Sequence, residues 1–329
     1  MKKTIFAGAL AAVMLLSACT KAPEKNNDEA VDLGSGIVLQ VGGSELTTGE
    51  FQFFLDNIKS QMEGTELSQE DGWESEIEGK KAIDIAKERA YESAVQYLEN
   101  IEIAKKLGIS YTEKEMEDKK SQINESYFEK YDNKDELINL VCESDLYLSA
   151  LQKKFVEENP VKDEDLEKYF NENKESLESK YMRAKHVLFL TQDENTKETL
   201  SDDKIAEQKK KAEDVLARAK AGEDFDALVS EYSEDPGSKS NPEGYVFTSG
   251  EMVQEFEDCT ASLKPGEIGF CQTSYGFHII KRLDLDVSSC KSVLTNAVYA
   301  QNFTKYMEEK VAEYKLEAVK NDEEYNKIK

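Results

Sequence analysis

The sequence predicts an α+β fold: a small mixed sheet with surrounding helices, inserted in a discontinuous all-α domain. Three observations predict it. Apolar residues recur at helical spacing through residues 47–173. Residues 179–285 alternate short strand patterns with helical ones. Beyond Val287, a helical stripe of Leu294, Val298, Phe303, Tyr306, Val311 and Tyr314 returns with no local partner. Such a stripe needs cover, and the N-terminal helical region is the available surface.

The elements follow in order. Lys2 and Lys3 precede an apolar or small run from Ile5 to Leu16, too short to span a bilayer and matched to a signal-peptide core. It ends in Leu16-Ser17-Ala18-Cys19, which resembles the lipobox of bacterial lipoproteins. That resemblance implies a signal peptide at 1–18, lipidation of Cys19 and a polar, flexible tether over 19–36. Ile37 to Val41 then reads as a strand closed by Gly42-Gly43. Thr47-x-x-Glu50 is a capping box, opening a helix to about Met62. Glu74 to Leu107 reads as one long helix or two, with Ala86, Ala90, Ala94 and Leu98 stepping by four. Thr112-x-x-Glu115 opens the next helix. Asp135 to Glu158 is another, stopped by Pro160, and Asp163 to Asn173 is a short last one. The N-terminal helical domain is thus expected at 37–178.

Within 179–285, Tyr181 to Leu190 is a strand, and Asp202 to Ala221 a helix ended by Gly222. Phe225 to Tyr232 is a shorter helix. A loop from Glu234 to Gly244 leads to a strand at Tyr245 to Phe247. Glu251 to Leu263 reads as helical, with Met252 and Phe256 one turn apart on one face. Ile268 to Thr273 and Phe277 to Leu283 are strands around a tight turn. Residues 286–329 read as helical to the end, packing back on the N-terminal domain.

Charge and composition exclude several function classes. Lys and Arg total 42 against 68 Asp and Glu, a net charge of −26, so phosphate backbones would be repelled and nucleic acid is no partner. No serine-hydrolase elbow, phosphate-binding loop or HExxH motif is present. The Lys209-Lys210-Lys211 run is interleaved with acids and reads as a solvated helix face. Besides Cys19, the cysteines are Cys142, Cys259, Cys271 and Cys290, whose spacing fits no zinc motif. Cys259 and Cys271 flank one turn, and both a disulfide and free thiols are compatible with the sequence.

The only two histidines are His186, in the first strand of the block, and His278, in the last. Arg183-Ala184-Lys185-His186-Val187-Leu188 resembles the opening strand of parvulin-type peptidyl-prolyl isomerases. Tyr232-Ser233-Glu234-Asp235-Pro236-Gly237-Ser238 resembles their loop carrying an Asp or Cys. Gly250-Glu251-Met252-Val253-Gln254-Glu255-Phe256 is similar to their proline-pocket helix. Leu263-Lys264-Pro265-Gly266-Glu267-Ile268 and Tyr275-Gly276-Phe277-His278-Ile279-Ile280 are similar to their closing hairpin. The wider organisation resembles PrsA-type foldases of Gram-positive bacteria and, more distantly, SurA chaperones.

The resemblance implies a parvulin-like domain at 179–285 and catalysis of cis–trans isomerisation at X-Pro bonds. Its catalytic residues would be His186, Asp235 and His278, and its proline pocket Met252 and Phe256. Tyr245 and Tyr275 are further candidates for the pocket wall. The usual Gly-Gly-Asp-Leu-Gly run is replaced here by Asn241-Pro242-Glu243-Gly244-Tyr245, which leaves a non-enzymatic holdase as the rival reading. The chemistry needs no metal or cofactor: the site must hold a ring and stabilise a twisted amide whose barrier is about 18–20 kcal/mol. The implied partners are unfolded or partly folded exported polypeptides and the outer face of the cell membrane, reached through the lipid anchor. A homodimer stays open.

Overall fold

The computed structural model describes residues 33, 36–63, 65–67, 72–193 and 196–328. The expected signal peptide at 1–18, the lipidated Cys19 and nearly all of the expected tether lie outside the described residues. The chain divides into two compact units, one drawn from Met1–Pro160 and Gln301–Lys329, the other Val161–Ala300.

The first unit opens with β1 (Ile37–Val41) and β2 (Ser44–Thr47), an antiparallel pair. Thr47 then closes its capping box. Glu50 accepts from the Thr47 N–H at 2.8 Å, and Thr47 Oγ1 accepts from the Glu50 N–H at 3.2 Å. α1 (Thr48–Glu63) follows. The next helix, α2 (Ala82–Lys106), starts later than the spacing predicts. Residues 76–81 instead form a small hairpin, β3 (Glu76–Ile77) and β4 (Lys80–Lys81), turned by Glu78 and Gly79 at φ 51° and 83°. Two successive positive φ values make a tight hairpin turn and cannot continue a helix, so Gly79 outweighs the helical spacing. α3 (Glu113–Lys120) begins at the second capping box, and α4 (Lys134–Glu158) ends just before Pro160. Ala82, Ala86, Ala90 and Ala94 are fully buried along α2. Side chains this small at i, i+4 spacing let α1 and α4 approach, and Phe51, Leu55, Leu137 and Val141 complete the cluster.

The second unit begins with α5 (Asp163–Glu172) and α6 (Lys174–Lys180), a helix the sequence pattern does not announce. α5 precedes the expected domain boundary at 178/179, and α6 runs across it. They belong here because Leu166, Phe170 and Leu177 share a cluster with Leu285, Cys290, Leu294 and Val298. The elements that follow are β5 (Tyr181–Leu190), α7 (Asp202–Lys220), α8 (Phe225–Tyr232), β6 (Tyr245–Thr248), α9 (Gln254–Ser262), β7 (Ile268–Gln272) and β8 (Gly276–Leu283). The strands form one sheet of order β6-β5-β8-β7. Every pairing is antiparallel, so the sheet is not mixed as expected: each connection returns the chain against the direction of its neighbour.

Period-two alternation splits this sheet into two covered faces. Val187, Phe189, Phe277 and Ile279 pack under Ala212 and Val215 of α7 and Leu228 of α8. Ala184 and Ile280 pack on the other side with Phe247 and with Phe256 of α9. Each such apolar side chain contributes about 1.5–3 kcal/mol on full burial. Gly276 opens β8 where a Cβ would stand 2.0 Å from the Phe189 carbonyl oxygen, an approach only glycine permits.

α10 (Lys291–Tyr314) carries the predicted stripe, divided between two clusters. Leu294 and Val298 belong to the second unit's core, whereas Phe303, Met307, Val311 and Tyr314 pack against that of the first. The remainder is not helical to the end. Lys315 turns at φ 50°, β9 (Ala318–Lys320) pairs antiparallel with β1, and α11 (Asp322–Lys327) follows. The first unit is therefore not all-α: it holds a sheet of order β2-β1-β9. The backbone groups on the free edge of β1 need partners once buried, and β9 supplies them.

Candidate functional site

β5 and β8 bring the two histidines together. Their register pairs His186 with Ile280 and Leu188 with His278, so the imidazoles are diagonal neighbours on one face. Their ring centroids lie 5.2 Å apart. This is the face covered by α9, whose Phe256 ring stands edge-on to both, 5.2 Å from His186 and 5.4 Å from His278.

Asp235 arrives through the segment that follows α8. β6 pairs only with residues 181–184 of β5, leaving the far edge of β5 without a strand. Ser233 and Glu234 satisfy that edge. The Leu188 N–H donates to Ser233 Oγ at 3.2 Å, the Glu234 N–H to the Leu188 carbonyl at 2.8 Å, and the Leu190 N–H to the Glu234 carboxylate at 2.7 Å. Asp235 is thereby set with Oδ2 3.5 Å from His186 Nε2. Its carboxylate accepts from Tyr245 Oη at 2.6 Å, Ser238 Oγ at 2.9 Å and the Gly237 N–H at 3.1 Å. Tyr245, at the start of β6, also stacks on His186 at 5.6 Å. Its phenol lies over Gly237, where a Cβ would meet the hydroxyl at 2.2 Å.

Met252 shares the cluster with Phe256, but not as its helical neighbour. α9 starts only at Gln254, with Val253 extended ahead of it, so the one-turn spacing expected for Met252 and Phe256 does not apply. The buried Glu257 carboxylate folds back instead. It accepts from the Gly250 N–H at 2.9 Å and the Met252 N–H at 2.9 Å, fixing the segment as a loop. Tyr275 lies apart from the group: its side chain is 49% exposed at the β7–β8 turn.

The sequence reading missed Thr273. Its Oγ1 lies 2.9 Å from His278 Nε2 and accepts from the Tyr275 N–H at 3.1 Å. A threonine just ahead of a two-residue turn was the available signal. Glu257 was missed because its partners depend on the backtrack at Gly250, which no fixed spacing announces.

Burial governs the charges. It pushes the His186 imidazole below its ordinary pKa, against the pull of Asp235. Burial, reinforced by His186, pushes His278 down to about 3. Both rings are therefore neutral at ordinary pH, and the His186–Asp235 contact is not an ion pair. For Asp235, burial opposes ionisation, but the hydrogen bonds from Tyr245, the Gly237 N–H and Ser238, together with electrostatic attraction to His186, outweigh it and hold the carboxyl below the usual range. Burial and the adjacent Asp235 carboxylate push the Tyr245 phenol up. The nitrogens His186 Nδ1 and His278 Nδ1 are buried without a hydrogen-bond partner.

The notch is narrow. Phe256, His278 and His186 are only 3%, 5% and 9% exposed. A wider open crevice, lined by Phe225, Ile268 and Lys281 among others, lies away from the histidines. Among the described residues, no three His, Cys, Asp or Glu side chains converge as a metal site, and no helix is long and apolar enough to cross a membrane.

Comparison with known proteins adds two findings. Residues 165–285 match the PPIC-type peptidyl-prolyl isomerase domain, a span holding every expected catalytic and pocket residue. Most of the chain is similar to proteins named Foldase protein PrsA. Identity is 35% over 247 residues with that of Caldanaerobacter subterraneus subsp. tengcongensis, covering 74% of this chain and 72% of the relative. It is 30% over 282 residues with that of Halalkalibacterium halodurans, covering 85% and 72%. It is 30% over 292 residues with that of Geobacillus kaustophilus, covering 86% and 79%.

Proposed function

The chain belongs to the PrsA foldase family and is a peptidyl-prolyl isomerase, and we propose that it turns X-Pro bonds over the face shared by His186, His278 and Phe256. Its substrates are partly folded proteins; in this reading they are exported ones. Cys19 would carry the lipid that holds the foldase at the outer face of the membrane, and the largely helical first unit would cradle the client.

The observation that carries the reading is a pair of neutral imidazoles, 5.2 Å apart, over one aromatic ring. A planar amide is polar through resonance, and water stabilises it. Rotation about the C–N bond destroys that resonance, so a dry apolar notch favours the twisted state over the planar one. Phe256 and Met252 would hold the pyrrolidine ring. Asp235, ionised, would fix His186 with its proton on Nε2, leaving Nδ1 a bare acceptor. Thr273 accepts from the Tyr275 N–H and would donate its own proton to His278 Nε2, leaving the His278 proton on Nδ1. One Nδ1 would then be a donor and the other an acceptor, both unpartnered in the structure and available to the amide that twists between them. No covalent bond is made, and Asp235 acts through the field it sets.

One observation favours the holdase reading: the notch is almost closed, and a prolyl ring enters only if the half-buried Met252 and Tyr245 give way. Isomerisation of a prolyl tetrapeptide by the full chain and by His278→Ala separates the two readings. The isomerase reading expects turnover reduced about tenfold or more in the variant with melting retained. Undetectable turnover by the folded parent chain would leave the holdase.

A further inference from the structure

Two cysteines stand beside this notch, and the isomerase reading uses neither. Cys271 is the register partner of His278, so its side chain leaves β7 on the histidine face. Cys259 lies on α9 three residues after Phe256, on the same side of the helix. A Cβ at Gly269 would stand 3.1 Å from Cys259 Sγ. The Cys259 sulfur therefore rests on β7, two residues from Cys271 and on the same side of the strand. Both residues pack in the cluster of Phe256 and Met252, both are free thiols, and both are partly exposed, whereas Cys142 and Cys290 are buried.

We propose that Cys259 and Cys271 form a redox-active dithiol whose disulfide clamps α9 onto β7 beside His278. The Cys271 thiol proton, shared towards Cys259, pulls the Cys259 pKa down against the effect of burial, which favours Cys259 as the first nucleophile. Its thiolate attacks one sulfur of a low-molecular-weight disulfide such as oxidised glutathione, expelling a glutathione thiolate and leaving a mixed disulfide. Cys271 then loses its proton to solvent and attacks the Cys259 sulfur, expelling the second glutathione. Two protein thiols are oxidised, and one disulfide is reduced to two thiols.

An S–S bond of about 2.05 Å is far shorter than any thiol contact, so closure draws α9 towards β7. Phe256 moves with its helix against His278, and the prolyl notch narrows. This effect on turnover rests on the isomerase reading; the disulfide itself does not.

The test treats the full chain with oxidised glutathione and cleaves after glutamate, which separates Cys259 from Cys271 at Glu267. The expected result is a single intramolecular link between the two peptides, reversed by dithiothreitol, retained in Cys290→Ala and lost in Cys259→Ser and in Cys271→Ser. The linked form should show a shifted His278 ring resonance and turnover reduced about threefold or more. Glutathione mixed disulfides alone, or links only between chains, would overturn the dithiol. A link that moves neither the His278 resonance nor turnover would overturn the clamp. A reduced chain without turnover would sink the isomerase reading instead, with the resonance still reporting the clamp.

Discussion

Tyr245→Phe isolates the bond that holds Asp235. It deletes one hydroxyl, keeps the ring stacked on His186, and removes the 2.6 Å hydrogen bond to Asp235 Oδ2. A hydrogen bond to a charged group is worth about 1.5–3 kcal/mol. Losing it should raise the Asp235 pKa towards the usual carboxylate range. The carboxyl retains its bonds to Ser238 and the Gly237 N–H and stays ionised at neutral pH. The sign follows from linkage. The folded pKa of Asp235 is depressed, so its contribution to stability is present above the unfolded pKa and lost as pH falls through the folded one. The variant should thus lose stability at pH 7 and move the acid limb of turnover upward, with little change in turnover at pH 7.5. Carbon-detected NMR titration of the Asp235 carboxyl gives the pKa directly, alongside the pH profile of kcat/KM. An Asp235 pKa that stays put in the variant would refute the role given to Tyr245.

Other perturbations read the same architecture. Because burial depresses both imidazoles, the unfolded chain binds more protons below pH 6.5, and stability should fall with acidification by up to about 1.4 kcal/mol per pH unit per histidine; urea unfolding at pH 7 and 5 measures this, and His278→Ala should flatten part of the slope. Glu257→Ala releases the Gly250 and Met252 N–H groups, so KM for a prolyl peptide should rise more than kcat falls; a pure kcat effect would contradict Glu257 as the prop of the Met252 loop. Gly276→Ala drives a Cβ into the Phe189 carbonyl and should destabilise the second unit by about 3 kcal/mol or more, seen as lost protection of β5 and β8 amides in hydrogen exchange.

What the sequence made legible was local. Thr47 with Glu50 and Thr112 with Glu115 signal their helices because both partners of each cap lie within one turn. The strand carrying His186 was legible from its apolar run, and the pairing of His186 with His278 from the order of motifs around them. What stayed hidden depends on distant partners. β9 has only three residues and becomes a strand because β1 offers an edge. Met252 reads as helical until the Glu257 carboxylate is seen turning back on its backbone. Tyr245, expected as pocket wall, carries in addition a bond to Asp235 that exists only because the loop over 236–244 folds back on itself. Thr273 gains its meaning from the β7–β8 register, which no propensity fixes.

The charge state of the site argues for the chemistry independently of resemblance. General acid–base catalysis works best with a group whose pKa lies near the operating pH. Burial drives both imidazoles below their ordinary pKa, His278 to about 3, which weakens both as bases near neutrality. A hydrolase or transferase built here would be poorly served. Rotation about an amide bond asks for no net proton transfer, only a dry surface, a fixed polar field and a place for the ring. Burial supplies the first; in the proposed reading Asp235, held ionised by three donors, would supply the second, and Phe256 would offer the third once Met252 gives way. The low basicity that disqualifies these histidines for bond breaking is what a bond-twisting site requires, since a protonated imidazole would draw water back into the notch and restore the planar amide's advantage.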